Sequence, residues 1–307
     1  MYKILANDGI DKSAELKLIS LGYKVDTFHY EGEELSKKIK EIDCIIVRSA
    51  TKVRKLLIDE ALKTKQLKLI IRAGVGIDNI DHVYSEEKGI LVRNTPAASS
   101  DAVAELVIGH MFALARHIYI SNVTMRKGQW NKKAYLGIEL SNKTLGLVGF
   151  GRIAQSVAKK AMNLGMKIIY TDLFGENKAF NNCRFVSKEQ LLKQADFISL
   201  HIPYDKETGP YLGKTEFDMM KDGMYLIQAS RGGVIDEAEL LIALDSGKVK
   251  KAALDVFEEE PTKNERIYTH PAISLTPHIG ASTIEAQARI GVETIELIIK
   301  NLVTEDK

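Results

Sequence analysis

The 307-residue sequence predicts an α/β chain of two doubly wound, parallel-sheet domains, with the first domain made from both ends of the chain. Three observations predict it. Short apolar runs alternate with amphipathic helical stretches through two separate series, which is the pattern of parallel strands wrapped by helices. An almost wholly apolar helical stretch, residues 102–115, stands between the series. A long amphipathic segment from about Ser282 to Leu302 ends the chain and is long enough to cross back over the N-terminal unit. At about 150 residues per domain, the length also suggests two.

In the first series the apolar runs are Tyr2–Ala6, Lys24–Phe28, Asp43–Val47, Lys68–Arg72 and Ile90–Arg93, with helical patterns at Lys12–Leu21 and Glu33–Lys40. After Asn94-Thr95-Pro96 the texture changes. Ser99, Ser100 and Asp101 are cap candidates for the apolar helix Ala102–Ala115, which must be buried, between domains or between subunits, because a helix apolar on every side has no solvent face. Residues 126–140 read as polar and irregular, with the sole tryptophan, Trp130. The second series runs Leu145–Phe150, Lys167–Thr171, Asp196–Leu200, Met224–Ala229, Ala252–Val256 and Ile273–Thr276. Its helices carry capping-box spacings at Ser187/Gln190, Asp236/Glu239 and Ser282/Glu285. These readings place one domain at 1–97 plus 282–307 and the other at 98–281.

Composition excludes several classes. With 45% apolar and 27% charged residues the chain can bury sizeable cores and is not disordered. A net charge of +2 without long like-charge runs signals neither nucleic acid nor an anionic membrane as partner. The N-terminal apolar stretch is too short for a signal peptide, and the longest apolar run falls short of the ~20 residues of a membrane span. Cys44 and Cys183 show no metal-type spacing, so no metal is expected and a reducing cytosol is the expected compartment.

The first chemical signal is Gly149-Phe150-Gly151-Arg152-Ile153-Ala154, which follows an apolar strand and opens a helix. Gly149 permits the tight turn, Gly151 lets the backbone approach a pyrophosphate, and small Ala154 lets helix pack on strand. The next strand ends in Asp172, 23 residues past the first glycine. A carboxylate there accepts ribose hydroxyls and repels a 2′-phosphate, and no arginine follows in residues 173–176, so NAD is the predicted cofactor. The pair Gly74/Gly76 also follows a strand, but Asn stands at 79 and no comparable helix follows.

Three polar groups lie just past strands of the second series: Arg231, the acids Glu258–Glu260, and His278. An NAD enzyme oxidising an alcohol needs a base for the hydroxyl proton and a cation for the carbonyl oxygen that develops. Spacing alone does not choose, however. Arg231 also fits a surface residue, Glu260 a loop acid before Pro261, and His278 a structural histidine among seven, with His201 and His270 also beside strands or loops.

The stretches Val148–Ala154, Ala229–Asp236, Ala253–Pro261 and Thr276–Gly280 resemble, in this order and over essentially the whole chain, the D-isomer-specific 2-hydroxyacid dehydrogenases. Residues 47–53 (VRSATKV), 72–79 (RAGVGIDN) and 278–287 most resemble the phosphoglycerate dehydrogenases of that family. The resemblance implies a Rossmann NAD-binding domain inserted in a discontinuous flavodoxin-like substrate domain, with a cleft closing between them. It implies His278 as acid/base, Glu260 as its orienting carboxylate, which favours imidazolium, and Arg231 as the group that binds the substrate carboxylate and polarises the C2 oxygen. Cofactor contacts would fall on Gly149, Gly151, Arg152, Ile153, Asp172, His201, Ile202, Pro203, Ala229, Ser230, Asp255, Gly280, Ala281 and Val75, with Asp255 meeting the nicotinamide amide. Backbone amides of Gly74, Val75 and Gly76 would cradle the substrate carboxylate. Arg48 and Arg72 would meet a substrate phosphate, for which a planar fork of donors is suited; two strand-end arginines in surface pairs remain the alternative.

The implied reaction is NAD-dependent oxidation of D-3-phosphoglycerate to 3-phosphohydroxypyruvate, the first step of serine synthesis. A hydroxypyruvate or glyoxylate reductase and, on fold analogy alone, an NAD-sensing co-repressor-like protein share the scaffold. The resemblance further suggests a homodimer through residues 102–115 and 120–140, with Lys132 or Lys133 reaching the neighbour's site. Gln228 departs from the family's asparagine, and the sequence ends at Lys307 without the regulatory domain of serine-inhibited members, so serine feedback is not expected.

Overall fold

A computed structural model describes residues 1–302. The chain divides into two compact units, one of Met1–Ser99 together with the chain from Ala281, the other of Ser100–Gly280.

The first unit begins β1 (Lys3–Ala6), α1 (Lys12–Ser20), β2 (Lys24–Asp26), α2 (Gly32–Lys38), β3 (Cys44–Val47), α3 (Lys55–Leu62), β4 (Leu69–Arg72), α4 (His82–Glu87) and β5 (Leu91–Asn94). The strands are parallel in the order β2-β1-β3-β4-β5. Cys44–Val47 is buried along its whole length, as a central strand covered on both faces must be.

The second unit comprises α5 (Ser100–Ala115), α6 (Ile118–Arg126), β6 (Thr144–Val148), α7 (Arg152–Asn163), β7 (Lys167–Thr171), β8 (Cys183–Phe185), α8 (Lys188–Gln194), β9 (Phe197–Leu200), α9 (Lys214–Met219), β10 (Met224–Gln228), α10 (Glu237–Asp245), β11 (Val249–Leu254), α11 (Glu265–Thr269) and β12 (Ile273–Leu275). Its sheet is parallel in the order β12-β11-β10-β9-β6-β7-β8. The strand order reverses direction between β6 and β9 here, and between β1 and β3 in the first unit. Those are the points where open α/β sheets leave a crevice at their carboxyl edge.

The chain then returns to the first unit as α12 (Ile284–Leu302), which buries Ala286, Ile290, Ile298 and Leu302. Burying each of the isoleucines and the leucine stabilises by about 1.5–3 kcal/mol. Gly291 sets the approach to α1, since a Cβ there would come within 2.7 Å of the Ala14 methyl.

The structure differs from the sequence reading in three places. The helix at 118–126 was not read from sequence: its apolar residues are half-exposed or exposed and none is buried, so it lacks the core-facing stripe that periodicity detects. The strand Cys183–Phe185 was also missed, because three edge residues are too few to show alternation. Within the chain, helix Ser100–Ala115 buries one side and leaves Asp101, Glu105, Gly109 and Phe112 as an exposed stripe, the side that the expected burial between subunits would cover. Finally, the last helix is capped by Thr283, whose Oγ1 accepts the Ala286 N–H at 3.1 Å, so the expected Ser282/Glu285 box lies one residue out of register. The Ser187/Gln190 box is present, and Asp236 caps Ala238 and Glu239.

Among the described residues no single helix is long and apolar enough to cross a membrane, and no group of His, Cys, Asp and Glu could hold a metal ion. Cys44 and Cys183 are buried free thiols.

Candidate active site

The carboxyl edge of the second sheet carries the glycine loop. Gly149 has φ +81°, which favours glycine, and a Cβ there would stand 2.7 Å from the His201 carbonyl oxygen and 2.8 Å from Ile202 Cγ2. The turns after β6 and β9 therefore touch at the point where strand order reverses. Gly151 begins α7 without a side-chain cap, and nothing lies within 4 Å of where its Cβ would be. The first-turn N–H groups of α7, those of Arg152 and Ile153, are thus available to an anion, while the Gln155 N–H already donates to the Gly151 carbonyl. Asp172 takes the Phe150 N–H at 2.6 Å on Oδ2 and the Phe174 N–H at 2.9 Å on Oδ1. Each oxygen keeps a further lone pair for a ribose hydroxyl. These residues fit a dinucleotide. Pro203 follows Ile202 at the same edge, Ala229 and Ser230 follow β10, Asp255 follows β11, and Gly280 ends the unit.

Three adjoining loops bring together the residues expected to be catalytic. His278 Nδ1–H donates to Glu260 Oε2 at 2.7 Å. Burial pushes the Glu260 carboxyl up, but the hydrogen bond and charge of His278, the Phe257 N–H and the Arg231 charge outweigh it and hold the group below the ordinary carboxylate range. The Phe257 N–H donates to Glu260 Oε1 at 3.2 Å, which fixes the carboxylate rotation. Glu258 and Glu237 clamp the same loop, each accepting the other's backbone N–H at 3.0 and 2.9 Å.

His278 itself has φ +52°, an unusual backbone for a histidine. Asp255, 1% exposed, holds that turn by accepting Thr276 Oγ1–H at 2.6 Å and the Ile279 and Gly280 N–H groups at 2.9 Å each. On the β10 side, buried Gln228 donates to the Arg231 carbonyl at 2.9 Å and accepts the Ser230 N–H and O–H. The residue that departs from the family pattern thus ties down the arginine loop.

The first unit presents a second polar edge. Arg48 follows β3 and Arg72 ends β4, where Val47 and Arg72 are in register. The Arg48 N–H donates to Asp8 Oδ2 at 2.6 Å across the strand-order reversal. Its guanidinium Nε is buried with no hydrogen-bond partner. Burial lowers the Arg48 pKa, against the opposing charges of Asp8 and Asp11. Arg72 folds over Gly74 (φ +153°), where any Cβ would collide with its guanidinium. Asn79, which spoiled a second dinucleotide fingerprint, donates to the carbonyls of Arg48 and Thr51 at 2.7 Å each and so ties the arginine loop to the one after Gly76. Val75 and Ala281 also belong to this unit.

Sequence reasoning passed over Asp8, Thr51, Glu237, His110 and Thr276. Thr276 and Thr51 lie inside quoted motifs and could have been found there; the others carry no local pattern.

The fold and the His–Glu–Arg constellation beside a dinucleotide loop define an NAD-binding α/β oxidoreductase. Residues 108–280 match the family model described as "D-isomer specific 2-hydroxyacid dehydrogenase, NAD binding domain". The chain is 46% identical to a hydroxypyruvate reductase of Thermotoga maritima over 98% of both chains. It is 43% identical to a D-3-phosphoglycerate dehydrogenase of Methanocaldococcus jannaschii, covering 98% of this chain but only 58% of that one. Among solved structures, TT0316 of Thermus thermophilus matches with a TM-score of 0.90 at 31% identity, over 98% of this chain and 97% of that one. The chain belongs to the D-isomer-specific 2-hydroxyacid dehydrogenases, and its cofactor is NAD.

Proposed function

We propose that this dehydrogenase interconverts D-3-phosphoglycerate and 3-phosphohydroxypyruvate. The observation that carries the reading is Arg48, whose buried Nε lacks a partner and which directly follows β3, beside the β4 end that carries Arg72. A buried guanidinium nitrogen with no partner calls for an anion, and a phosphate dianion suits two planar donor forks.

In this reading the N-terminus of α7 and Asp172 would hold NAD, which would supply the hydride acceptor for C2. His278 takes the C2 hydroxyl proton on Nε2, because Nδ1–H is committed to Glu260. Glu260 stabilises the imidazolium that results. Arg231 binds the substrate carboxylate and draws charge from the C2 oxygen, while Gln228 holds its loop. Asp255 would orient the nicotinamide amide.

The test compares NADH oxidation with 3-phosphohydroxypyruvate and with hydroxypyruvate, for the wild type and for Arg48→Ala. The expected result is a large preference for the phosphorylated acid, lost in the variant through KM; equal loss with both acids would remove Arg48 from the phosphate. The 46% relative favours a second reading, hydroxypyruvate reduction by the same catalytic residues. A preference for the unphosphorylated acid would establish it.

We also propose a homodimer in the cytosol. Phe112, Ile118, Val123, Met125, Trp130 and Leu136 are exposed on α5, α6 and the segment after them, more apolar surface than a monomer ordinarily leaves in one stretch. Lys132 and Lys133 lie exposed in that segment. A stable monomer in sedimentation at micromolar concentration would refute it.

A further inference from the structure

His110 is the one histidine of α5. It is 4% exposed, and burial lowers its pKa, so the neutral ring is favoured. Its Nε2 lies 3.1 Å from Thr276 Oγ1, and Thr276 Oγ1 lies 2.6 Å from Asp255 Oδ1.

The direction of this chain follows from proton counting. The Asp255 carboxylate already accepts Ile279 N–H on Oδ1 and Gly280 N–H on Oδ2. Thr276 has a single hydroxyl proton, and the short contact to a carboxylate takes it. The threonine oxygen can then only accept from the histidine, so Nε2 must carry the hydrogen. Relayed bonds of this kind polarise and strengthen one another. With Oδ1 taken up by Thr276 and Ile279, Oδ2 is the oxygen left with capacity toward a ligand. The same carboxylate supports the positive-φ turn at His278.

We propose that His110 is a positioning residue of the dehydrogenase: its Nε2–H, held on Thr276, sets the rotation of the Asp255 carboxylate and steadies the turn that presents His278. The inference rests on the dehydrogenase reading of Asp255 and His278 and adds to it a residue from a different element. Nothing in it depends on the substrate phosphate, so the effect is the same with 3-phosphohydroxypyruvate and with hydroxypyruvate.

The experiment compares His110→Leu, which removes the donor, with His110→Gln, whose amide restores one. Both are made in the full chain and assayed for kcat, KM and thermal midpoint. His110→Leu should lower kcat about tenfold, the usual scale for a lost charge-linked hydrogen bond, with little change in KM for the 2-oxo acid. His110→Gln should recover most of it. Leucine at wild-type kcat, or leucine and glutamine equally impaired, would overturn the proposal.

A second readout needs no turnover. In 15N-histidine-labelled protein, His110 should be the Nε2–H tautomer, and Thr276→Val should shift its ring nitrogens; an Nδ1–H tautomer or unmoved nitrogens would also overturn it. A wild-type chain that reduces no 2-oxo acid would refute the dehydrogenase reading instead. The leucine–glutamine comparison would then be read in NADH affinity, with weakening in leucine alone as support and equal affinities as refutation.

Discussion

Gly232→Ala is the substitution the geometry judges most severely. Gly232 follows Arg231, and a Cβ there would fall inside contact distance of the Phe257 carbonyl and 3.0 Å from the Glu258 nitrogen. Both obstacles are backbone, so no rotamer change relieves them. The φ of Gly232 is not in the left-handed region, so alanine brings no backbone strain of its own. The whole cost therefore falls on the two loops, which must part by roughly an ångström or more; one carries Arg231 and the other Glu260. Misplacing catalytic groups by about 1 Å costs on the order of 100-fold, or about 2.7 kcal/mol of transition-state stabilisation. The assay is kcat/KM for NADH-dependent reduction, beside NADH affinity by fluorescence and the thermal midpoint. Gly247→Ala is the control: its φ of +78° strains alanine, but nothing lies within 4 Å, so it should lose about 1 kcal/mol of stability and no activity. A folded Gly232→Ala enzyme with wild-type kcat/KM would refute the coupling of the two loops.

Three further outcomes follow. His278→Ala should nearly abolish turnover while leaving NADH binding close to normal, since only proton exchange is removed; a matching loss of NADH binding would show that His278 holds the cofactor instead. Asp172→Ser should raise the use of NADPH relative to NADH, because the carboxylate that repels a 2′-phosphate is gone. It should also loosen the glycine loop by losing the Phe150 tie, and unchanged discrimination would count against Asp172. The third concerns acid stability. Burial lowers His201 from 6.5 to about 4, so between those values the unfolded chain binds a proton that the folded chain refuses. Stability from this group is therefore present above pH 6.5 and lost as pH falls toward 4, about 2 kcal/mol of it by pH 5. Urea unfolding at pH 7.5 and 5 should show the wild type losing that much more than His201→Gln; equal losses would refute the shift.

How much of this was legible beforehand depends on the range of each interaction. The strands Lys167–Thr171 and Cys44–Val47 are apolar runs bounded by turn residues, and such signals are contained within a few neighbours. The glycine loop, its helix and Asp172 occupy a short span whose chemistry demands that spacing, so cofactor and fold class were both readable. Where the local signal was weak, reading failed: the half-exposed helix at 118–126 and the three-residue strand at 183–185 have too little periodic burial to announce themselves. On paper the Glu285 spacing favours Ser282 as the cap, and the path of the chain chose Thr283 instead.

The site divides in the same way. Sequence by itself determined which residue types stand at which strand ends, namely Arg231, Glu260, His278, Arg48 and Arg72, because strand ends are set locally. Tertiary structure decided what each one touches. It gave Gln228 the arginine loop, Asn79 the Arg48 carbonyl, and Asp255 the turn under His278. His110 and Thr276 are 166 positions apart in the chain, and no pattern within a window of residues relates them. They meet because α5 packs on the sheet that ends in β12, and a buried donor in that place had to find an acceptor.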